Sequence, residues 1–415
     1  MLTLALAAML TTHLSPFAIA AWGAEQDETS KRAMGFAKGV TPHPSTVARL
    51  FRRLDPAVLS SALTDHSALH DPPDPQRRGA AEVAIDGKAQ RGRLAFASVA
   101  GYPVHALTAC THDAAAVLAQ EEIASHADKA RAELSVAPRL IARLDWQGRV
   151  LTGDALFCQR NLCAQVCEAG GDYLIIVKEN QPQLHRDIAT LFACRADLTL
   201  RAASLPAWDM REAVGEECGH GRHEQRRVTA STELNDYLDW PGVAQVFMVE
   251  RCWQEGGATK QAVRYSITSL PSSVADAARL GALVRGHWQI ENGLHYVKDV
   301  TLGEDRSLIH TGNGPSIMAI LRDTVVSVLH RAGWRTIAAR LRYYSGHPQG
   351  SLRPPRYPAC RQCISPGSAV MCGRGLSQGL RSITFAIPVI TMEVLMRKIA
   401  DEARRGKSPF AVFLR

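Results

Sequence analysis

Three short apolar runs limit most severely the folds open to this chain: "AEVAIDGKA" at 81–89, "GRVLTGDAL" at 148–156 and "GDYLIIVKEN" at 171–180. Each is of strand length and ends in polar residues, and "YPVHALTAC" at 102–110 reads the same way. Helical patterns lie between them, at 129–144 with an expected break near Pro138, at 159–168 and at 181–192. Strands that alternate with helices predict an α/β sheet with helical faces. Two of the runs carry an aspartate where the strand ends, Asp86 and Asp154. In α/β folds the carboxyl ends of strands border the ligand crevice. Taken singly, either aspartate also suits a turn or a helix cap.

The flanking sequence has a different pattern. Residues 1–75 read as helices, with a loop around 35–44 and Ser45 or Thr46 as the expected N-cap of the stretch that follows. The apolar opening with its small residues imitates a secretion signal, but it lacks a positively charged leader and is interrupted by His13 and Pro16. "DPPDPQRRG" then reads as a linker. Residues 205–270 alternate like antiparallel strands and predict a β-rich insertion. Helices return at 274–297, 317–331 and 336–344. The expected units are therefore 1–75, helical and DNA-binding; 76–204, the first part of a core; 205–270, the insertion; 271–350, the core's closing helices; and 351–415, a basic extension.

Charge has to be apportioned before it is interpreted. The formal net charge of +8 would ordinarily suggest a nucleic-acid partner. The whole excess falls in 351–415, with 11 Lys/Arg against 3 Asp/Glu, while the first 350 residues carry 37 of each sign. A DNA contact on the main body must rest on local clusters such as Arg222–Arg227. The 10 cysteines are irregularly spaced and read as reduced thiols. Cys360, Cys363 and Cys372 lack an obvious fourth zinc ligand, and Cys218, His220 and His223 make an equally incomplete set.

The stretch "RGHWQIENGLHYVKDVTLGEDR" at 285–306 sets His287, Glu291, Leu294, His295 and Lys298 near one face of an ordinary α-helix. A solvated, ion-paired helix is one reading. Interleaved Trp288, Ile290, Leu294, Tyr296 and Val297 favour a partly buried one, on which a carboxylate needs a purpose. Three acids converging from Asp86, Asp154 and Glu291 would repel one another unless hard cations neutralised them.

The three blocks "AIDGKAQRG", "TGDALFCQRNLCAQVCEAGGDYLIIVKENQ" and "RGHWQIENGLHYVKDVTLGEDRSLIHTGN" resemble the signature blocks of insertion-sequence DDE transposases, in the H-repeat-associated group. The likeness extends over about residues 1–350. It implies an RNase H-like catalytic core interrupted by a β-rich insertion, behind an N-terminal helical domain. It further implies that Asp86, Asp154 and Glu291 hold Mg²⁺, or Mn²⁺ in its place, in a two-metal site that cuts DNA at the element's ends and joins them to target DNA. The partners so implied are the terminal inverted repeats, the target DNA and a second copy of the chain in a synaptic complex. No membrane is involved, and the location is cytoplasmic. The DNA and phosphate contacts expected from it are Lys298, Arg285, His287, Lys178 and Arg222. One departure stands out: of the superfamily's tyrosine, arginine, glutamate and lysine pattern only Glu291 and Lys298 are kept, with Val284 and His287 at the first two places. A nuclease of the same fold that cuts without joining, and a non-catalytic DNA-binding repressor, are the alternative readings.

Overall fold

A computed structural model describes residues 1–70, 78–79, 81–90, 105–123, 129–196, 208–219, 222–255 and 258–348. The basic extension, with Cys360, Cys363 and Cys372, lies outside them, as does His220. Among the described residues nine strands form one sheet: β1 (Ala81–Ala89), β2 (His105–Thr111), β3 (Val117–Ile123), β4 (Arg149–Gly153), β5 (Asp172–Val177), β6 (Arg211–Gly219), β7 (Arg222–Ser231), β8 (Gln245–Glu255) and β9 (Ala258–Thr268), in the order β3-β2-β1-β4-β5-β9-β8-β7-β6. β1, β2 and β3 pair antiparallel, whereas β4 runs parallel to β1 and β5 parallel to β4. This mixed sheet behind an N-terminal helical bundle is the RNase H-like fold of the DDE type.

The insertion expected from strand alternation is present as β6–β9. It does not form a separate sheet. β9 pairs antiparallel with β5, Leu174 opposite Thr268 through Val177 opposite Tyr265, so the four strands extend the core sheet outward. The sequence reading missed β3, "VLAQEEI", whose polar end carries Glu121 and Glu122. Their partners come from other elements: Arg143 donates to Glu121 at 2.8 Å and the Ser316 hydroxyl to Glu122 at 3.0 Å.

The sheet is covered on both faces, and strand alternation assigns residues to each. On one face Val83, Ile85, Leu151, Tyr173, Ile175 and Val177 pack under helices α6 (Lys129–Ala142), α7 (Arg160–Glu168) and α8 (Pro182–Ala196). α6 runs unbroken through Pro138, contrary to the expected break. Val136, Ala137, Leu140 and Ile141 are buried around that proline, so packing on the sheet overrides the local cost of the lost N–H.

On the other face Ala84 and Cys110 meet the N-terminal bundle: α1 (Leu2–Leu10), α2 (Pro16–Glu25), α3 (Glu28–Ala33), α4 (Pro44–Arg53) and α5 (Pro56–His70). The apolar opening is therefore core material, with Leu4, Ala8, Met9 and Ile19 fully buried. His43, not Ser45 or Thr46, caps α4: its Nδ1 accepts from the Ser45 N–H at 3.2 Å and leaves Pro44 in the first turn, where no N–H is needed. α9 (Ala277–His287) covers the neighbouring part of this face through Leu280 and Leu283, and α10 (Gly314–Arg331) and α11 (Ile337–Gly346) complete the bundle. Among the described residues no helix is long and apolar enough to cross a membrane.

The chain does not continue past α9 as an ordinary α-helix. It winds as a π-helix over Ile290–His295 and again over Val297–Thr301. The Tyr296 N–H donates to the Glu291 carbonyl and the Leu302 N–H to the Val297 carbonyl, both five residues back. Such wide turns inside helices occur often at functional sites.

Candidate active site

Asp86 lies within β1, opposite Thr108 of β2, so the strand runs on past it instead of ending there as expected, and Asp154 directly follows the parallel neighbour β4. Ala84 is registered opposite Thr152, and the two aspartates each follow that pair by two residues, at the carboxyl end of the sheet. Gly87, between Asp86 and Lys88, turns the bare side of its residue to the other face. A Cβ there would stand 2.1 Å from Oε1 of Glu133, whose carboxylate is paired with His105 at 2.9 Å. Asp154 caps the short 3₁₀ turn Ala155–Phe157, its Oδ1 accepting from the Leu156 N–H at 3.0 Å. The cap reading of Asp154 is thus correct as far as it goes. The cap engages one carboxylate oxygen, Oδ1.

Glu291 is exposed on the first π-wound segment, and His295 of the same segment reaches back to β1, its Nδ1 3.3 Å from Asp86 Oδ2. Burial alone would raise the Asp86 carboxyl, but the contact and charge of His295, the Gly87 N–H and the charge of His287 outweigh it and hold the group below its ordinary pKa. Asp154 and Glu291 move the other way. For Asp154 burial comes first, then repulsion from Asp86 and Glu133, partly offset by the Leu156 N–H and Lys178. For Glu291, whose side chain reaches solvent, partial desolvation leads, followed by repulsion from Asp86 and Asp154, against the pull of His295 and Arg264. The three acids therefore feel one another's charge. Among the described residues no three His, Cys, Asp or Glu side chains form a ready-made metal cage.

Behind the acids lies a polar cluster that sequence reading did not assemble. The Thr152 hydroxyl meets His112 Nε2 at 2.7 Å and His287 Nδ1 at 3.1 Å. Burial lowers both imidazoles, His112 to about 3, with the charge of His287 adding to the effect on His112, while Asp86 opposes it on His287. Gly286 makes this possible, since a Cβ there would lie 2.2 Å from His112 Nδ1. His112 sits in a loop after β2 with no motif around it, so no sequence signal singled it out.

The expected phosphate contacts are distributed unevenly. Lys178 is exposed just beyond β5 and its charge acts on Asp154. His287 points into the Thr152 cluster rather than outward. Arg285 is paired with Glu217 of β6. Arg222 opens β7 opposite Gly219 in the outermost hairpin, so its backbone lies away from the acids.

Lys298 does not face the site. It is buried, 2.8 Å from Asp323 Oδ1 of α10 and 3.6 Å from Glu304 Oε1, which is no place for a DNA phosphate contact. The physical reason is the π-winding: seven residues make two turns of an α-helix, but not of a helix bonded five residues back. Arg264, which sequence reading did not pick out, supplies positive charge near Glu291 from β9 and stacks over Trp288 at 5.9 Å. His223, considered above for zinc, is exposed and 3.7 Å from Glu216.

Residues 82–329, more than half of the chain, match the family model "Transposase DDE domain". The chain is 26% identical over 316 residues to the "Putative transposase YncI" of Escherichia coli O157:H7, covering 74% of this chain and 75% of that protein. It is 30% identical over 275 residues to an "Uncharacterized protein in dhlA 3'region" of Xanthobacter autotrophicus, with 65% and 85% covered. To the "H repeat-associated putative transposase YhhI" of Escherichia coli K12 it is 26% identical over 303 residues, with 71% and 74% covered. The matched region begins on β1, beside Asp86, and ends in α10, enclosing all three acids, and the chain belongs to the DDE transposase family, among relatives that include the H-repeat-associated proteins.

Proposed function

We propose that this chain cuts DNA at the ends of its own element and joins the freed ends to target DNA, with Asp86, Asp154 and Glu291 holding divalent cations. The observation that supports this reading most is that Asp86 and Asp154 each stand two residues beyond the registered pair Ala84 and Thr152 on parallel neighbours, with the charge of both acting on Glu291. A purely carboxylate donor set suits a hard ion such as Mg²⁺, or Mn²⁺, better than zinc. When bound, such ions supply neutralising charge and a clamp on the attacking and leaving oxygens of an in-line displacement.

The chain's own groups do the rest. His295 orients Asp86, the Leu156 N–H fixes one oxygen of Asp154, and Lys178 and Arg264 bring positive charge to where phosphates would lie. Cutting and joining both attack phosphorus, so one site can serve both steps. The partners are terminal inverted repeats, target DNA and a second copy of the chain in a synaptic pair. The bacterial chromosome as substrate puts the reaction in the cytoplasm.

The test is to incubate purified chain with DNA carrying the ends that flank its gene and a target plasmid, with and without Mg²⁺. Metal-dependent cleavage with joined products is the expected result. Cleavage without joining would assign a nuclease, and end binding without cleavage a repressor.

A further inference from the structure

Asp86 and Lys88 lie on one face of β1, two residues apart, and both reach the same π-wound helix. Asp86 meets His295, and Lys88 Nζ donates to Asp299 Oδ1 at 2.7 Å and Oδ2 at 2.6 Å. Two residues of strand advance about 7 Å, and four residues of helix about 6 Å at the ordinary rise. Strand and helix thus run side by side and are tied at two successive points, each tie made by the strand residue that alternation turns to this face.

The second tie continues inward. Lys88 Nζ is also 3.9 Å from Glu304 Oε2, and Lys298 Nζ is 3.6 Å from Glu304 Oε1. Lys298 pairs with Asp323, and Arg322 reaches both Glu304 Oε1 at 3.8 Å and the Leu302 carbonyl at 3.3 Å. Three cations and three anions thus form one continuous network, balanced in charge, from β1 through the π-wound helix to α10. Burial lowers the Lys298 ammonium, but the charges of Asp323 and Glu304 prevail and keep it protonated. Ion pairs this deep are a poor source of stability and a good source of fixed geometry, because every member must stay in place for the others to be satisfied.

We propose that Lys88 is a positioning residue, which by holding Asp299 fixes the helix that carries Glu291 alongside the strand that carries Asp86. This rests on the reading of the three acids as cation ligands. Lys88 touches neither cation nor DNA; it acts through Asp299 and Glu304. Without it the helix keeps, of these two ties to β1, only that of His295, and Glu291 loses its fixed distance from the two aspartates.

The experiment uses the full chain and its Lys88→Met, Asp299→Asn and doubly substituted forms, each checked for native circular dichroism at the working temperature. Free Mn²⁺ is titrated by its electron paramagnetic resonance signal, and amide exchange is followed over 290–301 without metal. Each single variant is expected to weaken Mn²⁺ binding by about ten- to hundredfold, as loss of a supporting group outside the ligand set typically does. The double variant should be no weaker than either single one, because both act through one contact. Amides of 290–301 should exchange faster in all three. Should Lys88→Met fail to fold, Asp299→Asn, at a more exposed side chain, carries the same comparison. Folded variants with wild-type Mn²⁺ affinity, or with unchanged exchange, would overturn the positioning role and leave the acid reading intact. A wild-type chain whose Mn²⁺ binding is absent, or is unaltered by Asp86→Asn, would overturn both.

Discussion

Lys298 Nζ lies 2.8 Å from Asp323 Oδ1, with both side chains only 4% exposed. Lys298→Ala should therefore behave as a core lesion. Removing one partner strands a buried charge and costs about 3–5 kcal/mol, read as a lower urea midpoint with an unchanged slope. Joint replacement of Lys298 and Asp323 by Met and Leu should recover part of that loss. A surface-like response, with full stability and weaker DNA binding, would contradict the burial.

Asp154→Asn should abolish Mg²⁺-dependent cleavage yet make the metal-free protein more stable at neutral pH. The sign follows from the raised carboxyl: the folded state holds this proton more tightly than the unfolded one, so stability from this group is absent well above the folded pKa, grows as pH falls through it and is complete below the ordinary 3.8. Mg²⁺ at a hundred times its dissociation constant should stabilise the wild type by about 2.7 kcal/mol and the variant far less. Thermal melts with and without Mg²⁺ measure both effects.

Lys178 is another lysine expected at the phosphates, and unlike Lys298 it is not buried. It is exposed beside Asp154, so Lys178→Ala should weaken DNA binding at all sequences and reduce the slope of log affinity against log salt by about 0.9. Titrations at several salt concentrations check this; an unaltered slope would remove Lys178 from the DNA path.

His112 makes a pH prediction with the opposite sign to Asp154. Its folded pKa is pushed down to about 3 from an ordinary 6.5, so the stability it contributes is complete above 6.5 and is lost as pH falls towards 3. His112→Gln should flatten the stability profile across that window while the Thr152 contact is kept by the amide. A profile as steep as the wild type's would show that other groups cause it.

Gly87→Ala should destabilise the fold by about 1–3 kcal/mol, the usual cost of overpacking, because the new Cβ meets the Glu133 carboxylate. Shortening Glu133 in the same chain should return part of the loss. Urea unfolding of the two variants decides it.

The sequence made some of this legible and hid the rest for identifiable reasons. Asp86 and Asp154 stand out as candidates because each follows a plain apolar run, and β6–β9 are legible because their side chains alternate. β3 was missed because its polar half is satisfied by Arg143 and Ser316 from distant elements, which no local pattern announces. The π-winding after α9 was equally silent. "IENGLHYVKDV" has the composition of an ordinary helix, and only packing decides that its bonds span five residues. From that one change Lys298 turns inward, and the pairing of Lys88 with Asp299, 211 positions apart, becomes available.

The junction of β5 with β9 bears on what could be cut away from this protein. Strands that end a sheet offer unpaired N–H and C=O groups to any passing chain and are a source of aggregation. Were residues 205–270 excised, β5, with Tyr173, Leu174, Ile175 and Val177 all buried, would become such an edge, rich in apolar side chains and charged only at its first residue, Asp172. The inserted strands therefore act as a sheath for the core sheet, and a shortened version of this chain would need a new edge strand, or a charge placed in the apolar middle of β5, before it could stay in solution.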